Sequence, residues 1–236
     1  MLDLNISDLR QHIIKRSKEL GLSQLQRGLL LARFKILPFD RIHKLLPQKG
    51  RVLEVGSGHG ILSLAMAMMS RERKVFGLDL SPGRVELAQK LVQGFGLSPE
   101  PEFVLGDAKG IPLGQEPYAA LFMAEVLYLV PYEEQKDVFR SAGKALSSNG
   151  IFVVCELVID WSVGSFVQRA VSRVLTIFSM SSWGRTLFGY RVKGAPFLRT
   201  KEGWLEIFQT NGFNIETVEI VRKTIFPHIL IRGRKR

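Results

Sequence analysis

Val52-Leu53-Glu54-Val55-Gly56-Ser57-Gly58-His59-Gly60 joins an apolar run to three alternating glycines, and Ile61 to Met69 continues as an apolar stretch of helical length. That order reads as a buried strand that enters a glycine turn and leaves through a helix. Glycine lacks a Cβ, so a ligand can come close to the backbone of such a turn. The helix that follows aims its unpaired N–H groups and the positive end of its dipole at the turn. A nucleotide-like ligand is the expected occupant. The spacing is G-x-G-x-G, with Ile61 where the dinucleotide fingerprint has its third glycine.

Downstream, short apolar runs alternate with amphipathic stretches. Strands are predicted at 74–79, 103–105, 120–123 and 151–155. Helices are predicted at 60–70, from Pro82 to about Gln93 with Ser81 as N-cap, at 132–146 and at 201–210. This alternation predicts an α/β fold, a mostly parallel sheet with helices on both faces and the ligand at the carboxyl ends of the strands. Two β-rich stretches, 214–221 and 224–231, read as an antiparallel hairpin at one edge. Upstream, residues 1–49 read as a helical extension, with Ser7 and Ser23 as N-caps. Leu9, Ile13, Ile14 and Leu20, then Leu25, Leu29, Ala32 and Ile36, recur at helical spacing and are expected to face the core. Eleven basic residues against four acidic ones in the first 51 positions leave two readings open. One is a solvated basic face; the other is a lid or membrane-contacting element.

The whole chain carries 33 Lys and Arg against 22 Asp and Glu, a net charge of +11, which favours polyanions, anionic lipid or acidic small molecules without choosing among them. With 46% hydrophobic and 23% charged residues the composition is that of a globular domain. Cys155 has no partner for a disulfide, and neither a signal-peptide pattern nor an uncharged run of ~18 residues is present. A cytoplasmic protein is expected, with peripheral attachment to the inner face of the membrane as a compatible state.

Asp79 ends the second predicted strand, where a carboxylate facing the glycine turn can accept both hydroxyls of a ribose. Asp107, after the third strand, can receive the exocyclic amine of a base. Glu54 lies too deep for substrate but can accept a hydrogen bond from the turn or a ligand amine. Taken singly, each of these acids could be a helix cap or a loop residue.

Glu54-Val55-Gly56-Ser57-Gly58-His59-Gly60, Asp79, Gly106-Asp107-Ala108 and Leu146-Ser147-Ser148-Asn149-Gly150-Ile151 together resemble the successive motifs of class I S-adenosylmethionine-dependent methyltransferases. The resemblance covers about residues 50–158, and the C-terminal hairpin by topology. It implies a Rossmann-like seven-stranded sheet in the order 3-2-1-4-5-7-6 with strand 7 antiparallel. It implies S-adenosylmethionine as cofactor. The cofactor residues it implies are Glu54, Gly56, Ser57, Gly58 and Gly60 around the methionine part, and Asp79 and Leu80 at the ribose. Asp107 and Ala108 would border the adenine, and Ala124 and Glu125 would lie beneath the sulfonium. Tyr118-Ala119 and Leu127-Tyr128-Leu129 depart from the Phe-Asp and Leu-His-His of many small-molecule members. The Asn-Pro-Pro-aromatic signature of base-amine methyltransferases is absent at 123–127.

The sulfonium is a good leaving group, so catalysis is mainly in-line positioning, with proton removal where the acceptor is an unactivated hydroxyl. Candidate catalytic residues are Glu125, Tyr128, Glu156 and His228. His59 reads as a packing residue, and His12 and His43 as surface residues. No cluster has metal-ligand spacing, so no metal is expected. Residues 160–199 form an insertion with six basic residues against Asp160, bearing Trp161, Trp183, Phe188 and Tyr190. Its composition fits a cap over an apolar pocket and equally an interfacial helix. The expectation is therefore a methyltransferase domain at 50–236 acting on a small hydrophobic or acidic, lipid-like acceptor. An RNA-modifying or RNA-binding protein is the second reading.

Overall fold

The computed structural model describes residues 6–114, 116–158, 197–222 and 227–236. Strands β1 (Gly50–Val55), β2 (Arg73–Asp79), β3 (Glu102–Leu105), β4 (Tyr118–Ala124), β5 (Leu146–Leu157), β6 (Phe213–Val221) and β7 (His228–Lys235) form one sheet. Their order is β3-β2-β1-β4-β5-β7-β6. The first five strands are parallel, and β7 runs antiparallel to both β5 and β6. Order and strand directions are those implied by the resemblance.

Successive side chains of a strand point to opposite faces, and here each face meets its own core. Val52, Ala120, Phe122, Val153 and Cys155 pack on one side; Leu53, Val55, Leu121, Met123, Phe152 and Val154 pack on the other. The central strands are apolar at both parities because both faces are covered. Helices α1 (Ile6–Glu19), α2 (Gln24–Ile36), α3 (Phe39–Leu45), α4 (Ile61–Met69) and α5 (Pro82–Val92) share the first core. Helices α6 (Tyr132–Ala145) and α7 (Lys201–Thr210) share the second, where Phe139, Phe152, Phe208 and Phe213 meet with ring centroids 5.0–6.0 Å apart.

Ser23 caps α2 in a reciprocal box with Gln26. Ser7 instead lies inside the first turn of α1, and the Ser81 side chain makes no capping bond, although Pro82 does open α5. In α2 the expected inward stripe is partly outward: Leu25 is 63% and Leu29 40% exposed, while Leu30 is buried. Leu29-Leu30-Leu31 puts apolar side chains around much of the helix, so spacing alone could not select the face. His12 and His43, expected at the surface, are half-buried and each has a partner. His12 Nε2 lies 3.2 Å from the Leu91 carbonyl, and His43 Nδ1 lies 2.9 Å from an Arg73 nitrogen.

The second hairpin strand is also later than expected, ending at Lys235 instead of Ile231. The basic tail is part of the sheet: Arg232 and Arg234 both bind Glu216, and Lys235 donates to the Leu146 carbonyl at 3.0 Å. Gly233 hides this strand from a hydrophobicity pattern. It occupies an inward position where a Cβ would come within 2.7 Å of Phe208. The cap assigned to 160–199 falls almost wholly outside the described residues.

Candidate active site

The glycine turn, β2 and the β3 corner meet at the carboxyl edge of the parallel strands. The Leu78 carbonyl accepts from Gly56 N–H at 2.7 Å and Ser57 N–H at 2.9 Å, which folds the turn back over β2. Asp79 then joins all three segments. Its Oδ2 accepts from Gly58 N–H at 2.8 Å, its Oδ1 from Ser81 N–H at 2.9 Å, and its carbonyl from Gly106 N–H at 3.0 Å. Each carboxylate oxygen keeps a second lone pair for a ligand. Leu80, the next residue, is 68% exposed. Asp107 Oδ1 accepts from Lys109 N–H and caps the short 3₁₀ turn that begins at Ala108, so both lie at the outer rim.

Two glycines of the turn differ in what requires them. Gly56 has φ +78° and a Cβ there would lie 2.4 Å from the Val126 side chain. Gly58 has φ +55° and a Cβ there would meet nothing within 4 Å. Space beside Gly58 is therefore not taken by any of the described residues. Gly58→Ala is expected to lower the melting temperature only by the backbone term, about 1 kcal/mol, while removing cofactor affinity. Gly56→Ala should damage both. Thermal melts run beside calorimetric titration separate the two variants, and unimpaired ligand binding by Gly58→Ala would contradict the cradle.

Glu54, Ser57, Gly58 and Ala124 line a small cavity beside the turn, together with Arg33 from α2. Ser57 Oγ is buried and makes no hydrogen bond among the described residues. An orphaned hydroxyl facing a cavity is a group that waits for a ligand. Glu54 accepts from the Ser63 hydroxyl, and burial pushes its carboxyl up to about 8. Burial likewise lowers His59 to about 4, helped by Arg84 and Arg33, so this imidazole is neutral at pH 7.

Glu125 follows β4 with φ +58°, a conformation that side-chain-bearing residues seldom adopt. Its side chain is held on two sides. Arg33 Nη1 donates to Oε2 at 2.6 Å, and His228 Nε2 lies 3.0 Å from Oε1. Burial raises its pKa, yet His228 and Arg33 together outweigh burial and hold the carboxyl below the usual range. His228, at the start of β7, is fully buried. Glu156 lies within β5, and its side chain turns into the protein. Its Oε1 accepts from Val126 N–H at 2.9 Å and Leu127 N–H at 2.8 Å, while burial pushes its carboxyl up to about 8. It braces the turn that sets Val126 against Gly56. Tyr128 is buried in the same turn, and its carbonyl accepts from Phe197 N–H at 2.6 Å. Arg199 Nε reaches Gln135 at 2.9 Å, so the chain emerging from the insertion is pinned beside this edge.

The structure thus brings Glu54, Gly56, Ser57, Gly58, Asp79, Ala124, Glu125 and His228 to one edge of the sheet. Arg33 joins them without having been a site candidate. It lies in a basic helical stretch with no motif, and only the packing of α2 over the strand ends places it there.

Residues 52–150 match the sequence profile of the family described as "Methyltransferase domain". That stretch is similar to the methyltransferase domains of this family. A phthiotriol/phenolphthiotriol dimycocerosates methyltransferase of Mycobacterium leprae is 34% identical over 82 residues, covering 35% of this chain and 29% of that protein. A fatty-acid O-methyltransferase of Mycolicibacterium smegmatis is 33% identical over 104 residues, covering 44% of this chain and 35% of that protein. The chain thus aligns with about a third of the length of these curated relatives. In fold, it resembles the magnesium protoporphyrin IX methyltransferase of Synechocystis PCC 6803, crystallised with bound S-adenosylhomocysteine. The TM-score is 0.65 at 15% identity, covering 98% of this chain and 100% of that one. The matched stretch holds most of β1, β2 to β4, α4 to α6 and both motif acids, Asp79 and Asp107.

Proposed function

We propose that this protein transfers a methyl group from S-adenosylmethionine to a small, hydrophobic or acidic, lipid-like acceptor. The observation that carries the reading is the convergence on Asp79 of the glycine turn and the Gly106 corner, beside an orphaned Ser57 hydroxyl. These residues fit the cofactor. Asp79 would hold the ribose hydroxyls with Leu80 beside them, and Asp107 and Ala108 would border the adenine. Gly56, Ser57, Gly58 and Gly60 would line the methionine part, with Glu54 below it. The cofactor supplies an electrophilic methyl on a sulfonium that leaves as a neutral thioether.

The chain's own groups orient the acceptor and take up a proton. Glu125, beside Ala124, is held ionised and lies 3.0 Å from His228 Nε2, a carboxylate–imidazole pair that would serve a proton relay from an acceptor. Arg33 neutralises the other oxygen of Glu125. Tyr128 would wall the site, and Glu156 would hold its floor through the Val126 and Leu127 N–H groups. The lipid-like class draws support from the names of the two mycobacterial relatives. The RNA alternative draws none from these matches.

The test is a transfer assay with methyl-labelled S-adenosylmethionine and a panel of acceptors ranging from long-chain carboxylic acids to small polar amines and RNA. Label extracted into organic solvent with the long-chain acceptors is the expected result. Label retained on RNA, or on polar amines alone, would overturn the acceptor class.

A further inference from the structure

Helix α2 packs Leu30, Leu31, Phe34 and Ile36 towards the core and still presents apolar side chains to solvent. It has one fully buried apolar side chain, Leu30, and it leaves Leu25 63% and Leu29 40% exposed. These two leucines lie one turn apart on the same side of the helix, with Ala32 next in the row. At ~100° per residue, Arg33 sits about 60° round from them on one flank, and Lys35, exposed, about 100° round on the other. The C-terminal part of the stripe, at Ile36, packs into the core. The apolar row therefore runs from solvent to the protein interior along one helix, and Arg33 of that helix lines the cavity by the glycine turn.

Charge reinforces the asymmetry. Residues 6–49 hold ten basic side chains against three acidic ones, and Lys15, Lys18, Lys35 and Lys44 are exposed. One of the three acids, Glu19, is already paired with Arg16 at 2.6 Å. Two adjacent outward leucines with surplus cations suit a surface that is both anionic and apolar just beneath. A nucleic acid would use the cations and leave the leucines in water.

We propose that α2 docks this protein on an anionic lipid surface, Leu25 and Leu29 entering the headgroup–acyl boundary and Lys35 of the same helix meeting lipid phosphates, within the basic field of residues 6–49. The proposal deepens the lipid-like acceptor reading and rests on it for its purpose. The helix that touches the bilayer is the one that carries Arg33 to Glu125, so an acceptor leaving the membrane would arrive beside the reacting groups. Access would be set by α2, independently of the residues that hold the cofactor.

Flotation of the full chain with two vesicle types tests this, one of phosphatidylcholine alone and one with about a third phosphatidylglycerol. The protein is expected to float with the anionic vesicles and not the neutral ones, and to be released as salt is raised. The double variant Leu25→Gln with Leu29→Gln should bind anionic vesicles at least ~10-fold more weakly. Both positions are exposed, so its melting temperature and its S-adenosylmethionine affinity should match wild type. Absence of wild-type flotation, or equal flotation of the variant, overturns the proposal. So does a wild-type dimer in lipid-free solution that the variant abolishes, since the leucine face would then belong to a second copy. Cofactor titration of the same samples reports on the proposed activity separately, so failure of the docking idea leaves a distinct signature from failure of the enzyme reading.

Discussion

Asp79→Ala is expected to remove measurable S-adenosylmethionine binding, a loss of at least ~100-fold in affinity. The carboxylate offers the cofactor two acceptors, and charge-assisted hydrogen bonds contribute about 1.5–3 kcal/mol each. Two such bonds to ribose hydroxyls already account for a loss of that size. A second effect adds to it: the same side chain accepts the Gly58 and Ser81 N–H groups, so its removal frees the turn that should cradle the methionine part. Asp79→Asn separates the two contributions. It keeps one acceptor oxygen but turns an amide N–H₂ towards one of these backbone donors, and an intermediate loss is expected. Calorimetric titration with S-adenosylmethionine and S-adenosylhomocysteine provides the readout, with near-ultraviolet circular dichroism to show that the variants remain folded. Unchanged affinity in folded Asp79→Ala would refute the ribose assignment.

The largest loss of stability is expected at Arg73. Its side chain is 1% exposed, and its bonds go to carbonyls and an imidazole. Nε donates to the Pro47 carbonyl at 2.7 Å, Nη1 contacts His43 Nδ1 at 2.9 Å and the Met66 carbonyl at 3.1 Å, and Nη2 donates to the carbonyls of His43 and Leu46 at 3.2 and 3.3 Å. The guanidinium thus satisfies the carboxyl end of α3 and ties it to α4 and β2. Burial is unfavourable to the charge and pulls its pKa down to about 10. Arg73→Met relieves that penalty but takes the guanidinium donor from four carbonyls; the His43 carbonyl keeps the Leu46 N–H at 3.3 Å, and each one left buried and unpaired costs about 1–3 kcal/mol. The carbonyls outnumber the single charge, so a net loss of roughly 3 kcal/mol and a melting temperature ~6–12 °C lower are expected. Arg73→Lys keeps the charge without the planar fork and should fall between. A melting temperature within ~2 °C of wild type for Arg73→Met would show that water replaces the guanidinium without cost.

Much of this protein was readable before any coordinates. The apolar run at 52–55, the alternate glycines and the acids at 79 and 107 specify a strand–turn–helix and its neighbours through local chemistry. Local chemistry survives in a one-dimensional pattern. Ser23 announced the start of α2 for the same reason, and α6 and α7 fall where helices were expected at 132–146 and 201–210.

What only the tertiary structure decided lies where distant segments meet or where a pattern is ambiguous. The leucines of α2 wrap much of the helix, so their outward face depended on how little of α2 the core accepts. His43 reads as a surface residue in the sequence, and only the packing of α3 against the start of β2 brings it to Arg73. Gly233 erased the alternation that would have marked the end of β7. Above all, the trio Arg33, Glu125 and His228 spans nearly the whole chain. No spacing rule links residues so far apart, and their meeting follows from parallel strands ending at one edge with α2 and β7 folded over it.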